Sequence, residues 1–185
     1  MISNRNVGTV LNETANLLRG ALNDPVVVFD IDSTLLFNTS GGQDSQCHGV
    51  LYGEVMQLYD YIASLHIPIF LVTARLDSPE GRQFTLGQLS CLGITGFDGL
   101  FMRPSSAGVS VENISDYKLQ CRRLITFVQH KNIFLNVGDQ WSDHYKCSAT
   151  KMQELDKMYG DNNVLFKPPA DAFSEWSLKL AERNL

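Results

Sequence analysis

The sequence lacks any apolar run near the roughly 18 residues that a membrane span requires. Its opening stretch, MISNRNVGTVLNETANLLRG, also has no apolar core of signal-peptide length. No membrane partner is expected, and the compartment these absences suggest is the cytoplasm. Positive charge is in deficit as well: 15 Lys and Arg against 20 Asp and Glu leave a formal charge of −5. Without a basic field to hold a polyanion, long nucleic acids are set aside, although a local site for one phosphate is still open. Cysteine is sparse, and Cys47, Cys91, Cys121 and Cys147 lack the close pairing of a zinc ribbon or a redox motif. They read as reduced, mostly structural thiols. Cys121 falls on an apolar helical face, and Cys147 lies near His144, a pair too small to make a metal site. Internal repeats and low-complexity tracts are missing too.

What remains is ordinary globular material: 185 residues, 44% hydrophobic and 19% charged, which is the size and composition of one domain. We read residues 1–185 as a single unit. A helix is expected in 1–24, broken by Asn23-Asp24-Pro25. Val26 to Phe29 is a short β-branched and aromatic run, the pattern of a strand buried on both faces. Similar runs occur at Ile67 to Val72, Gly99 to Met102, Ile133 to Val137 and Val164 to Phe166. Between the first two, Val55, Leu58, Tyr59 and Ile62 recur at helical spacing, and further helices are expected at about 79–92, 115–130 and 146–159. For the helix at 115–130, Ser115 is a candidate cap, and Tyr117, Cys121, Leu124, Ile125 and Val128 share one face. Such alternation predicts an α/β fold: a Rossmann-like central parallel sheet flanked by helices, with its site at the carboxyl ends of the strands. Residues 38–50 are polar and glycine-rich, and we read them as a flap-like loop beside that site.

The first strand runs into Asp30-Ile31-Asp32-Ser33-Thr34, which places two carboxylates where a strand gives way to a loop. A carboxylate can attack phosphorus only if the phosphate charge is neutralised, and a second carboxyl can protonate the leaving oxygen. Asp30 and Asp32 suit those roles, although a solvated acidic turn would look the same in isolation. The second strand ends in Thr73-Ala74-Arg75, so the Thr73 hydroxyl reaches the same sheet edge, able to donate to a phosphate oxygen. The fourth ends in Gly138-Asp139-Gln140-Trp141-Ser142-Asp143. A helical turn there would put Asp139 and Asp143 on one face. Carboxylates gathered in this way repel one another unless a hard cation is present, and Mg2+ is the natural candidate. Lys118, expected in the first turn of its helix, supplies the cation that a phosphate site needs. Trp141 reads as packing, and His48, Cys47 and Tyr52 as loop and helix-start residues.

These four segments, in this order and at these strand ends, resemble the four motifs of the haloacid dehalogenase superfamily. Phe29 to Leu36 and the string Gly138-Asp139-Gln140-Trp141-Ser142-Asp143 are similar to the class B bacterial acid phosphatases and to the plant acid phosphatases and vegetative storage proteins. The resemblance covers about residues 25–170. It implies that Asp30 forms an aspartyl-phosphate, that Asp32 protonates the leaving alcohol and then activates water, and that Thr73, Ala74 and Lys118 hold the phosphoryl group. It further implies Mg2+ bound by Asp30, the Asp32 backbone carbonyl and Asp139, with Asp143 in support. The short insert after the first motif leaves no room for a large cap domain, so substrate choice falls to the flap, the 103–115 loop or a neighbouring subunit of a homo-oligomer. The expected substrate is a small phosphomonoester, such as a nucleotide or a sugar phosphate. A phosphoprotein, a polynucleotide end or a non-catalytic storage role are the alternatives.

Overall fold

The computed structural model describes residues 23–37, 47–143, 146, 148, 150 and 165–167. The helices expected in 1–24 and at 146–159, the flap residues 38–46, His144 and Cys147 lie wholly or mainly outside them.

Pro25 and the β-branched residues after it favour an extended backbone, and β1 (Pro25–Phe29) becomes the middle of a five-stranded sheet. Two short strands follow, β2 (Leu36–Phe37) and β3 (Val50–Leu51), paired antiparallel as a separate two-stranded ribbon. Helix α1 (Gly53–Ser64) leads to β4 (Ile69–Leu76), and α2 (Pro79–Cys91) leads to β5 (Gly99–Arg103). Helix α3 (Val111–Arg123) precedes β6 (Asn132–Gly138), and β7 (Leu165–Lys167) closes the order β5-β4-β1-β6-β7.

Because alternate strand residues face opposite ways, β1 feeds two cores. Val27 and Phe29 join Leu58, Tyr59 and Ile62 of α1 and Leu89 of α2 on one face of the sheet. Val26 and Val28 join Tyr117 and Cys121 of α3, with Ile125 beyond it, on the other. Helices therefore cover both faces, as the alternating pattern predicts. Between β1 and α1 the described residues hold the β2–β3 ribbon. No helix among the described residues is long and apolar enough to cross a membrane.

Four expectations need correction. The sheet is parallel across four strands, but β7 pairs antiparallel with β6 at the edge. Ser115 does not cap its helix: Ser110 does, its hydroxyl accepting from the Asn113 amide at 3.2 Å, and Ser115 is buried within the helix. As a result Lys118 sits one turn further in than the first. Lastly, Leu124 and Val128 do not share the buried face of Tyr117, Cys121 and Ile125; both are exposed. The reason is a π-turn over Leu124–Val128, whose wider winding shifts the helical phase after Arg123.

Candidate active site

The register of the central strand places the site. Phe29 lies level with Leu71 of β4 and with Val137 of β6. Asp30 and Asp139 directly follow β1 and β6 and leave the sheet at its carboxyl edge, while Thr73 lies two residues beyond Leu71 within β4, which runs past the expected end at Val72 to Leu76. The Asp30 amide still donates to the Val137 carbonyl at 2.9 Å, which fixes the start of the loop against β6. The loop then turns sharply, with Ser33 at φ 60° and the Leu35 and Leu36 amides both donating to the Ile31 carbonyl, at 2.9 and 3.1 Å. Thr34, fully buried, points its hydroxyl back at Asp30 Oδ2 across 3.4 Å.

Helix α3 brings Lys118 to the same place. Its Nζ donates to Asp30 Oδ1 at 2.8 Å and also contacts Asp143 Oδ1, and all three side chains are buried. One turn on, Arg122 donates to the backbone carbonyls of Ser142 and Asp143 at 3.3 and 3.0 Å, so one helix holds both the side chain and the backbone of that loop. The loop's own turn is a 3-10 helix, Trp141–Asp143, and the Gln140 amide donates to Asp143 Oδ2 at 2.9 Å. Gly138 is required here, since a β-carbon at that position would run into the Asp143 carboxylate. Trp141 is buried, as a packing residue should be.

Asp30, Asp139 and Asp143 thus converge, each offering a carboxylate oxygen within 4.8 Å of the others. Their electrostatics follow from crowding in a dry place. Burial first, and then the Asp143 carboxylate acting against the relief from Lys118, push Asp30 up to about 8. Burial and Asp143 likewise push Asp139 up to about 6. Lys118 is moved the other way from its desolvation: the carboxylates of Asp143 and Asp30 outweigh burial and hold it firmly as an ammonium. The two directions describe one imbalance, a single cation shared among three acids.

Thr73 is buried within the last half of β4, and its Oγ1 accepts from the Arg75 amide at 3.2 Å, which leaves the hydroxyl proton to donate elsewhere. The Ala74 carbonyl is held by Arg103 Nε at 3.1 Å. Asp32 stands apart from the acidic triad, and both of its carboxylate oxygens are engaged by Arg75, at 2.8 and 2.7 Å. Position-by-position reading of the sequence found every residue of the triad together with Lys118 and Thr73. It assigned no role to Arg75 or Arg122, whose partners lie 43 and 20 to 21 residues away.

One further expectation fails. Cys47 and Cys91 are joined in a disulfide, with Cα atoms 5.4 Å apart and a sequence separation of 44. The bridge ties the segment before β3 to the end of α2, where Gln88 also donates to the His48 carbonyl. These two thiols are therefore not reduced, while Cys121 is free and buried.

Comparison with known proteins agrees with this geometry. The chain is similar in fold to the class C acid phosphatase from Bacillus anthracis solved with tungstate bound, at TM-score 0.60 and 18% identity, over 97% of this chain and 86% of that one. A second structure of the class C enzyme from the same organism gives the same values: TM-score 0.60, 18% identity, 97% and 86% coverage. No curated protein sequence matches the chain. The profile of the family described as HAD superfamily, subfamily IIIB (acid phosphatase), matches residues 3–162. With that match over most of its length and the acidic edge described above, the chain belongs to the subfamily IIIB acid phosphatases of the haloacid dehalogenase superfamily and is a phosphatase acting on phosphomonoesters.

Proposed function

We propose that the protein hydrolyses small phosphomonoesters, such as nucleotides or sugar phosphates, with Mg2+ and through a phosphoryl group carried on Asp30. The observation that carries this reading is the buried contact of Asp30 with Lys118 amid two further carboxylates. The donor set fits the metal: three carboxylates share one ammonium, and an all-oxygen cluster of this kind suits a hard divalent cation. Asp30 and Asp139 would hold it together with the Asp32 backbone carbonyl, with Asp143 behind them. When bound, it supplies positive charge against the phosphoryl oxygens and the Asp30 carboxylate.

The chain's own residues do the rest. An Asp30 oxygen attacks phosphorus as the bond to the leaving oxygen breaks, and Asp32 gives its proton to that oxygen. Lys118 and the Thr73 hydroxyl, with the backbone at Ala74, hold the phosphoryl oxygens in line. Asp32 then takes a proton from water while the water oxygen attacks phosphorus, and Asp30 leaves as a carboxylate. The chain acts as one catalytic unit in this scheme. The leaving group is selected by the β2–β3 ribbon with its flap and by the 103–115 loop, and no long nucleic acid or membrane is needed. The Cys47–Cys91 bridge favours an oxidising compartment over the cytoplasmic one expected from the sequence.

The test is a phosphatase screen over nucleotides, sugar phosphates and phosphopeptides, with Mg2+ and after metal stripping. Turnover of small phosphomonoesters that requires the metal is expected. Full turnover in excess EDTA would remove the metal from the scheme.

A further inference from the structure

Arg75 engages all three of its guanidinium nitrogens at this edge. Its Nε and one terminal nitrogen grip the two oxygens of Asp32 at 2.8 and 2.7 Å, and its other terminal nitrogen reaches Thr85 Oγ1 on α2 at 3.4 Å. Its own amide donates to Thr73 Oγ1. Thr85 is buried, and Arg75 itself is only 14% exposed, so the guanidinium is a fixed object. Asp32 is the more exposed partner, at 37%, on a loop that turns through a left-handed residue, Ser33.

A partly exposed ion pair contributes modestly to stability as a rule. What a two-pronged grip does supply is direction, because a planar fork matched to a carboxylate holds both its position and its plane. The arrangement also divides the two aspartates between two cations, Lys118 for Asp30 and Arg75 for Asp32.

We infer that Arg75 is a positioning residue, which aims the Asp32 carboxyl at the leaving-group oxygen from an anchor on α2; the inference rests on the acid and base role proposed above for Asp32. Arg75 acts through Asp32 and touches no reacting atom. Its effect belongs to the proton-transfer steps alone, and it grows with the leaving group's need for a proton.

The experiment compares kcat and KM with Mg2+ for p-nitrophenyl phosphate, whose phenolate leaves readily, and for glycerol 2-phosphate, whose alkoxide does not. The variants are Arg75→Gln, Arg75→Lys, Asp32→Asn and Arg75→Gln with Asp32→Asn. Arg75→Gln is expected to lower kcat on glycerol 2-phosphate by about tenfold or more beyond its effect on the aryl ester, within the range of general acid–base contributions. Both KM values should stay within a factor of about three, and the second change should cost less than about twofold once Asp32 is already Asn. Arg75→Lys keeps the charge without the fork and should repair only part of the loss. Equal losses on both substrates, a rise in KM alone, additivity with Asp32→Asn, or full repair by lysine would each overturn the inference. The Asp32→Asn variant tests the underlying role separately: if it shows no leaving-group dependence, the proposed role of Asp32 falls, whatever Arg75 does. Should Arg75→Gln not fold, the same comparison is made with Arg75→Lys and Thr85→Val, where a smaller loss with the same substrate bias is expected.

Discussion

Two carboxylate–cation contacts flank the same loop, and they differ in kind. Lys118 to Asp30 spans 2.8 Å with side chains 5% and 7% exposed, whereas Arg75 to Asp32 spans 2.7 Å with side chains 14% and 37% exposed. Distance does not separate them. Their surroundings do, since charges withdrawn from water interact strongly and are costly to leave alone, while exposed ones are screened and nearly free to part. The buried contact belongs to both folding and chemistry. The exposed one can belong to chemistry alone, which is what an acid that must meet a substrate requires.

The comparison breaks most readily at the nucleophile. Asp30→Asn removes the attacking anion and should bring turnover to background, while phosphate analogues still bind through Thr73, Lys118 and the metal. Calorimetry with an inert oxyanion checks the binding, and retention of near wild-type rate would end the proposed mechanism. Asp32→Asn should lower turnover on alkyl esters by a factor on the order of 10²–10⁴. It should also leave a phosphoryl adduct on the Asp30 peptide, visible by quenched-flow mass spectrometry with p-nitrophenyl phosphate. Its unfolding free energy should move by no more than about 0.5 kcal/mol, as for other exposed substitutions.

Lys118→Met sharpens the contrast from the other side. It strands buried carboxylates and should cost roughly 3–5 kcal/mol in metal-free protein, measured by urea unfolding. A loss as small as that of Asp32→Asn would show that the two contacts are alike after all.

The finest distinction concerns pH. In the folded, metal-free protein Asp30 is raised from 3.8 to about 8 and Asp139 from 3.8 to about 6. Between those limits the folded state holds protons that the unfolded chain has released, so stability falls as pH rises. The contribution is full below about pH 4 and is lost as pH passes through about 6 for Asp139 and about 8 for Asp30. Lys118, raised above its ordinary 10.5, stays charged in both states throughout and adds no slope there. Melting temperatures from pH 4 to 9 should therefore decline in EDTA, decline less in Asp30→Asn, and flatten with Mg2+, which displaces the protons. A slope unchanged in Asp30→Asn would place its origin elsewhere.

Much of this was legible in the sequence because it is local. Val26 to Phe29 announces a buried strand, Asp30 and Asp139 follow their strands directly, and Thr73 lies near the carboxyl end of β4, so parallel pairing brings them to one edge. Lys118 was found by charge balance, although its depth in the helix was misjudged with Ser115 as the cap. A serine's hydroxyl signals a cap only where the backbone leaves it free to be one, and Ser110 lies in a stretch with no apolar period to mark the start. The π-turn after Arg123 breaks the very periodicity used to assign the face, and the antiparallel β7 is too short to declare a direction. The pairings of Cys47 with Cys91 and of Arg75 with Asp32 depend on elements meeting in space across more than forty residues, and no spacing rule encodes them.

The disulfide also makes part of the chain a ring. The covalent circuit from Cys47 to Cys91 threads through β3, α1, β4 and α2, so Thr73 and Arg75 ride on a closed loop, while Asp30, Asp32, Lys118 and Asp139 sit on the open arms to either side. The site is assembled where ring and arms meet. A protease that cuts once inside the ring does not divide the molecule, whereas a cut between Asp32 and Cys47, or between Cys91 and Lys118, parts the catalytic groups of that arm from the rest. On a non-reducing gel the first kind of nick runs as an intact chain, and it separates into two pieces only when the sulfurs are reduced.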